Sequence, residues 1–370
     1  MSSQTERYED FRRFLSGGPK TRPYVCLDPS SYASVFVGKS GGHPSVEDQV
    51  AFHQAFRNDA VVSIPLNVSE IIPELHWNRR FLSKDADGTI YWEETLSVPW
   101  GEAKRVVGDR SGTIPWLAEP AIRDAEDFRL IEFHAEKMRE NAAALAHSIA
   151  HVPADLKTLG MMPATVIFSA FEAYYLIDYA DMPLFCVDWP EQYLAAVEKM
   201  HAANLAVLEE ISKVGVELIL TGSAGTELLS PAIFREAIVP FQREFNDRAR
   251  ALGCMVSYHI CGHSRQLIDL GIVDEIKPTL FETCSGPPCG NNPDLRAAVS
   301  GISEDIITKG NLDLDLLRNG TPEQISEAVA DIATATNGRR HIIGQGDATI
   351  LDGTPGGSIQ AFLDAVENHS

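Results

Sequence analysis

A chain of 370 residues with 31 Lys plus Arg against 52 Asp plus Glu carries a formal charge of -21, and it is long enough for two ordinary domains or one large α/β barrel. Charge of that sign argues against a partner gripped through its phosphate backbone, so no nucleic acid is expected. No apolar run approaches the roughly 20 residues of a membrane span, the charged first residues lack the apolar segment of a signal peptide, and six cysteines spread over this length do not make a disulfide framework. A cytoplasmic protein without a membrane partner is expected.

Taken in chain order, short apolar runs alternate with helical patterns. Tyr24 to Leu27 and Ala60 to Ile64 read as the first two strands. Residues 66–122 are too many for a simple crossover; with the turn Asp85-Ala-Asp-Gly88, Tyr91-Trp92 and Trp100 they read as a β-rich insertion or lid. Further strands are expected at Thr165 to Ser169, Val216 to Leu220, Cys254 to Cys261, Thr279 to Cys284, Ile306 to Lys309 and His341 to Gln345. Apolar residues at helical spacing fill Glu191 to Val214 and Pro231 to Leu252. Thr321-Pro322-Glu323-Gln324 is a capping box with proline at the first helical position, and it opens a helix through about Thr336. Ser230-Pro231 and Thr354-Pro355 give the same kind of start. Eight strand-helix units without a Gly-x-Gly-x-x-Gly turn after the first strand predict a (β/α)8 TIM barrel with an N-terminal elaboration, spanning 1–370 as one barrel domain.

Two strand ends carry chemistry. Side chains at i and i+2 of a strand share a face, so His259 and Cys261 are presented side by side where the fifth strand gives way to Gly262. Glu282 and Cys284 end the next strand in the same way. Nitrogen, sulfur and carboxylate donors on neighbouring strand ends are what a tetrahedral zinc ion takes, and barrel enzymes build their sites at this end of the strands. His263 and Cys289 fall on irregular loops, and Cys26 and Cys186 read as inert buried thiols.

The segments Leu229-Ser-Pro-Ala-Ile-Phe-Arg-Glu236, His259-Ile-Cys-Gly262, Gly310-Asn-Leu-Asp313 and Leu316-Leu-Arg-Asn-Gly-Thr-Pro-Glu323, followed by Gly344 through Thr354-Pro355, resemble the uroporphyrinogen decarboxylase superfamily. The likeness is nearest to its zinc-dependent, corrinoid-linked methyltransferases, with a more distant similarity to cobalamin-independent methionine synthase. It covers most of the chain and is firm from about Pro190 onward. In those methyltransferases a His-x-Cys pair, an acidic residue and a late cysteine hold the metal. The resemblance therefore implies a Zn2+ site of His259, Cys261 and Glu282, with His259 and Glu282 catalytic. The late cysteine has no counterpart in Gly344-Gln-Gly-Asp347, so Asp347 or Cys284 completes the set, or substrate fills an open position.

The activity so implied is methyl transfer between a small methylated substrate or thiol and a corrinoid protein, or tetrahydrofolate in its place; the chain carries no Asp-x-His-x-x-Gly module of its own for cobalamin. Tyr258, Glu172 and Ser223 are expected to contact the substrate. A homodimer is the assembly carried as an expectation. The arginine-rich N-terminal signature with which true uroporphyrinogen decarboxylases grip propionates is absent, its place taken by Arg22-Pro-Tyr-Val-Cys-Leu-Asp-Pro29. The competing expectation is a metal-free decarboxylase or lyase of the same fold, with His259 and Glu282 in acid-base roles on a small carboxylated substrate. A binding or maturation protein on an enzyme-like scaffold is the third.

Overall fold

The computed structural model describes residues 3–39, 44–110, 115–173, 176–347 and 349–368. Eight parallel strands follow one another around a curled sheet: β1 (Tyr24–Val25), β2 (Val61–Ser63), β7 (Met162–Val166), β8 (Leu218–Ala224), β9 (Met255–Cys261), β10 (Leu280–Glu282), β11 (Ile307–Leu312) and β12 (His341–Gln345). From β2 to β12 each pairs with its neighbour in sequence among these eight, β12 pairs β1, and helices stand between them, which is the (β/α)8 barrel arrangement. The remaining four strands, β3 (Asn78–Lys84), β4 (Ile90–Val98), β5 (Gly101–Asp109) and β6 (Trp116–Glu119), form a separate antiparallel sheet between β2 and β7. All eight sequence-expected barrel strands are present, with β7 beginning three residues earlier than expected and β8 running four residues further.

The first two barrel strands, which no strand ladder joins among the described residues, meet through a side chain. The Asp59 backbone N–H donates to the Val25 carbonyl at 2.7 Å, and its carboxylate accepts the Val25 N–H at 2.8 Å. That carboxylate is wholly buried and also takes Arg7 and Arg22, so a charge network completes the seam between β1 and β2. Arg22, which precedes β1, is thereby occupied at the end of the barrel away from the strand C-termini.

The same end is filled by the helix Gln4–Leu15, which starts with a Ser3/Glu6 capping box. Its Tyr8, Phe11, Phe14 and Leu15 pack against the inward residues Tyr24, Met162, Ala164, Leu218, Met255, Leu280, Ile307 and Ile342. Apolar side chains thus occupy the lower interior and leave polar chemistry to the upper layers. The strands' other faces pack on the surrounding helices, among them Pro190–Lys213, close to the expected span.

Trp100 in the inserted sheet packs edge-on against Phe133 with Arg129 over its ring, and Trp92 packs on Phe81. Trp100 nevertheless stays 40% exposed. The helix Pro322–Ala335 begins at Thr321 with the expected capping box: the Thr321 side chain accepts the Gln324 N–H, and Gln324 accepts the Thr321 N–H. Thr321→Ala is expected to cost about 1 kcal/mol of unfolding free energy in urea titrations, while Thr321→Ser stays near wild type. No helix among the described residues is long and apolar enough to cross a membrane.

Candidate metal centre

Ser257, His259 and Cys261 lie on one face of β9, alternating with Val256, Tyr258 and Ile260, which pack in the core behind the strand. His259 and Cys261 stand at the C-terminal mouth of the barrel. The His259 Nε2 is 3.1 Å from the Cys261 Sγ and 4.0 Å from an Asp347 carboxylate oxygen. One donor atom from each of His259, Cys261 and Asp347 lies within 4.8 Å of the other two. Asp347 reaches the group from the loop that follows β12, two residues past the strand end.

Glycines let the backbone come close here. A Cβ at Gly222 would sit 2.4 Å from the His259 carbonyl oxygen, so β8 can lie against β9 at this level only without a side chain. Gly262, with φ +94, turns the chain directly after Cys261, and a Cβ there would meet the Glu227 carboxylate at 2.2 Å. Glu227 in turn accepts the His263 N–H at 2.8 Å and fixes that loop.

Glu282 is the in-register partner of His259 on β10, yet its carboxylate turns one layer deeper into the barrel. One oxygen accepts the Ser257 hydroxyl at 2.6 Å, and the other accepts the Lys309 ammonium at 2.6 Å. Both members of the ion pair are buried, with side chains 12% and 7% exposed. Burial alone would raise the Glu282 carboxyl; the Lys309 and His259 charges and the two hydrogen bonds outweigh it and hold the group at about 2. Burial works against the Lys309 ammonium too, but Glu282, Cys26 and Asp28 keep it firmly charged.

Around Cys261 the field is negative. Desolvation, followed by Asp347, Glu172, Glu227 and Glu282, pushes its thiol up to about 12, although the residue reaches solvent at the mouth. Glu172, in the turn that follows β7, is buried against the end of β8, accepting the Ala224 N–H at 3.0 Å and the Tyr179 hydroxyl at 3.3 Å. Burial lifts its carboxyl to about 7, against the pull of those hydrogen bonds.

The structure therefore brings His259, Cys261 and Asp347 together and keeps the donor atoms of Glu282 and Cys284 outside that group. Cys284 is fully buried, and its thiol is pushed up to about 12 by desolvation. Tyr258 and Ser223, expected to contact substrate, are instead bonded to each other at 2.7 Å and are 1% and 3% exposed. Tyr258 alternates with His259 along the strand and packs in the core behind β9. Sequence reasoning missed Lys309 and Ser257. Ser257 was legible as the same-face residue two before His259; Lys309 was not, because a single strand lysine carries no signal of which carboxylate lies across the sheet.

A nitrogen, a sulfur and a carboxylate oxygen fit zinc, and three protein donors with a further position free are the pattern of catalytic rather than structural zinc sites. A sequence model described as uroporphyrinogen decarboxylase (URO-D) matches residues 98–369. The methylcobamide:CoM methyltransferases MtbA of Methanosarcina acetivorans and Methanosarcina mazei are each 24% identical over 186 residues, 50% of this chain and 48% of the relative. The chain thus spans about half the length of the curated relatives it matches. A solved methyltransferase from Methanosarcina mazei superimposes with a TM-score of 0.65, covering 100% of this chain and 99% of the other, at 12% identity, which is a likeness of fold.

Proposed function

This chain belongs to the uroporphyrinogen decarboxylase family, and from that premise we propose that it is a zinc-dependent methyltransferase moving a methyl group between a small methylated substrate or thiol and a corrinoid protein, with a folate as the other possible carrier. The observation that carries the reading is the convergence of His259, Cys261 and Asp347 donors at the barrel mouth. The methylcobamide:CoM activity named for the matching relatives supports the corrinoid as carrier. A zinc ion there would supply Lewis acidity toward a substrate heteroatom.

The chain's own residues define the rest of the chemistry. His259 offers its imidazole Nε2, Cys261 its sulfur and Asp347 one oxygen. Glu282 contributes a fixed negative charge next to His259, held ionised by Lys309 and Ser257. Glu172, with its carboxyl near 7 and within electrostatic reach of Cys261, is placed to take up or return a proton at neutral pH. The cations do not favour a polycarboxylate substrate: Arg22 is bound to Asp10 and Asp59 beneath the barrel, and Lys309 to Glu282. The single-domain reading and the insertion at 66–122 as a lid belong to this proposal as well.

The test is methyl transfer from free methylcob(III)alamin to a panel of small thiols, followed by the change in cobalamin absorbance. Zinc-loaded protein is expected to demethylate the cobalamin and chelated protein to lose that activity. Release of CO2 from a small carboxylated substrate at an undiminished rate after chelation would overturn the methyltransferase reading in favour of the decarboxylase.

A further inference from the structure

We propose that Lys309 and Ser257 are positioning residues that hold Glu282 away from the cation, so that the fourth coordination position belongs to the substrate and not to this carboxylate. The inference rests on the metal reading above and gives Lys309 and Ser257 a task beyond keeping Glu282 ionised.

The geometry is specific. Register places Glu282 directly beside His259, near enough by backbone alone to compete for the same ion. Its two carboxylate oxygens nevertheless each accept a 2.6 Å hydrogen bond, one from Ser257 two residues below His259 on β9 and one from Lys309 on β11 at the far side of β10, and they stay out of the group formed by His259, Cys261 and Asp347. Short bonds to an ionised acceptor are the strong class. Swinging Glu282 up to the ion would strand a buried ammonium, since Lys309 is enclosed and its other carboxylate neighbour, Asp28, lies just after β1. Asp28 is already engaged by the Ser30 backbone and hydroxyl.

The lane for Lys309 is kept clear by Gly344 on β12. A Cβ at that position would lie 3.2 and 3.3 Å from Lys309 side-chain carbons and 2.8 Å from the Cys26 carbonyl oxygen. The lysine therefore runs up the barrel interior along a glycine. Burial of the whole arrangement removes water as a substitute partner for either charge. A carboxylate held behind His259 adds negative charge to the site without occupying a position on the ion. Three protein donors then leave room for one substrate heteroatom in a tetrahedral set.

The experiment loads wild type, Lys309→Met and the double variant Lys309→Met/Glu282→Gln with Co2+ and records the visible ligand-field spectrum during titration with 2-mercaptoethanol. Wild type is expected to show a spectral change as the thiol enters. Lys309→Met, with Glu282 released onto the ion, is expected to start from a different spectrum and to need about tenfold more thiol, in line with the effect of disturbing groups behind metal ligands. The double variant removes both charges and is expected to return to the wild-type spectrum, with thiol affinity within about threefold. Lys309→Met behaving as wild type overturns the inference, as does a double variant whose spectrum shows a lost ligand. Should Lys309→Met fail to fold by circular dichroism, the double variant decides alone by the same criterion. Failure of wild type to take up Co2+ at all is the separate result that removes the metal reading itself.

Discussion

Replacing His259 by alanine is expected to lower bound zinc from about one equivalent to below about a tenth and to reduce methyl transfer by more than about 100-fold, since even groups behind metal ligands account for 10- to 100-fold. The imidazole is the donor that touches both of the others, 3.1 Å from the Cys261 sulfur and 4.0 Å from the Asp347 oxygen. Without it the remaining pair is a thiol pushed up to about 12 and a half-exposed carboxylate. Neither is a strong site alone, because the thiol must lose its proton to bind. Cys261→Ser is expected to act in the same direction. His259 and Cys261 line the mouth rather than the core, so the folded state should persist, and circular dichroism with elemental analysis separates loss of metal from loss of fold. A His259→Ala protein that still binds a full equivalent of zinc would remove His259 from the site.

The His259 and Cys261 pair was legible because strand alternation is a rule of the backbone: two residues apart means one face. The same rule excludes Tyr258, one residue from His259, and the structure places its ring behind the strand with Ser223. The barrel itself was legible because its strands are continuous apolar runs buried on both faces, as parallel strands are. Strand ends were less so. β8 continues through Thr221, Gly222, Ser223 and Ala224, small or polar residues with no apolar signature, because β9 offers backbone pairing along that whole length. β7 starts at Met162 and contains Pro163, a residue that sequence reasoning places outside strands.

What the sequence could not convey is which charges meet across the barrel. Glu282 reads as a metal ligand because it ends a strand beside His259, and the lysine that pairs with it lies 27 positions away on β11. Asp59, just before the second strand, likewise closes the seam between β1 and β2 with a carboxylate that bonds Arg7, Arg22 and the Val25 backbone. Both depend on closure of the sheet, a long-range property that local pattern does not contain. Asp347 sits between these cases: its place after the last strand was visible, and its convergence with His259 required coordinates.

Lys309→Met is expected to destabilise the folded protein by about 3–5 kcal/mol at neutral pH, the range for removing one partner of a buried ion pair. Methionine fills nearly the same volume, so the loss reports the stranded Glu282 carboxylate rather than a cavity. The pH dependence has a definite sign. In wild type the Glu282 carboxyl is held at about 2, below its ordinary 4.5, so its contribution to stability is complete above about 4.5 and drains away as pH falls toward 2. In the variant the carboxyl loses its cation, burial dominates, and the folded state accepts a proton more readily than the unfolded chain. Both effects shrink the difference between the two proteins on acidification. Urea unfolding of each at pH 7 and at pH 4 measures it: the gap should be widest at pH 7. Lys309→Met/Glu282→Gln should recover most of the loss, because neither a buried charge nor an unpaired carboxylate remains. A gap under about 1 kcal/mol at pH 7, the range of an exposed pair, or one that does not change with pH, would mean that the ion pair is solvated and does not hold Glu282 in place.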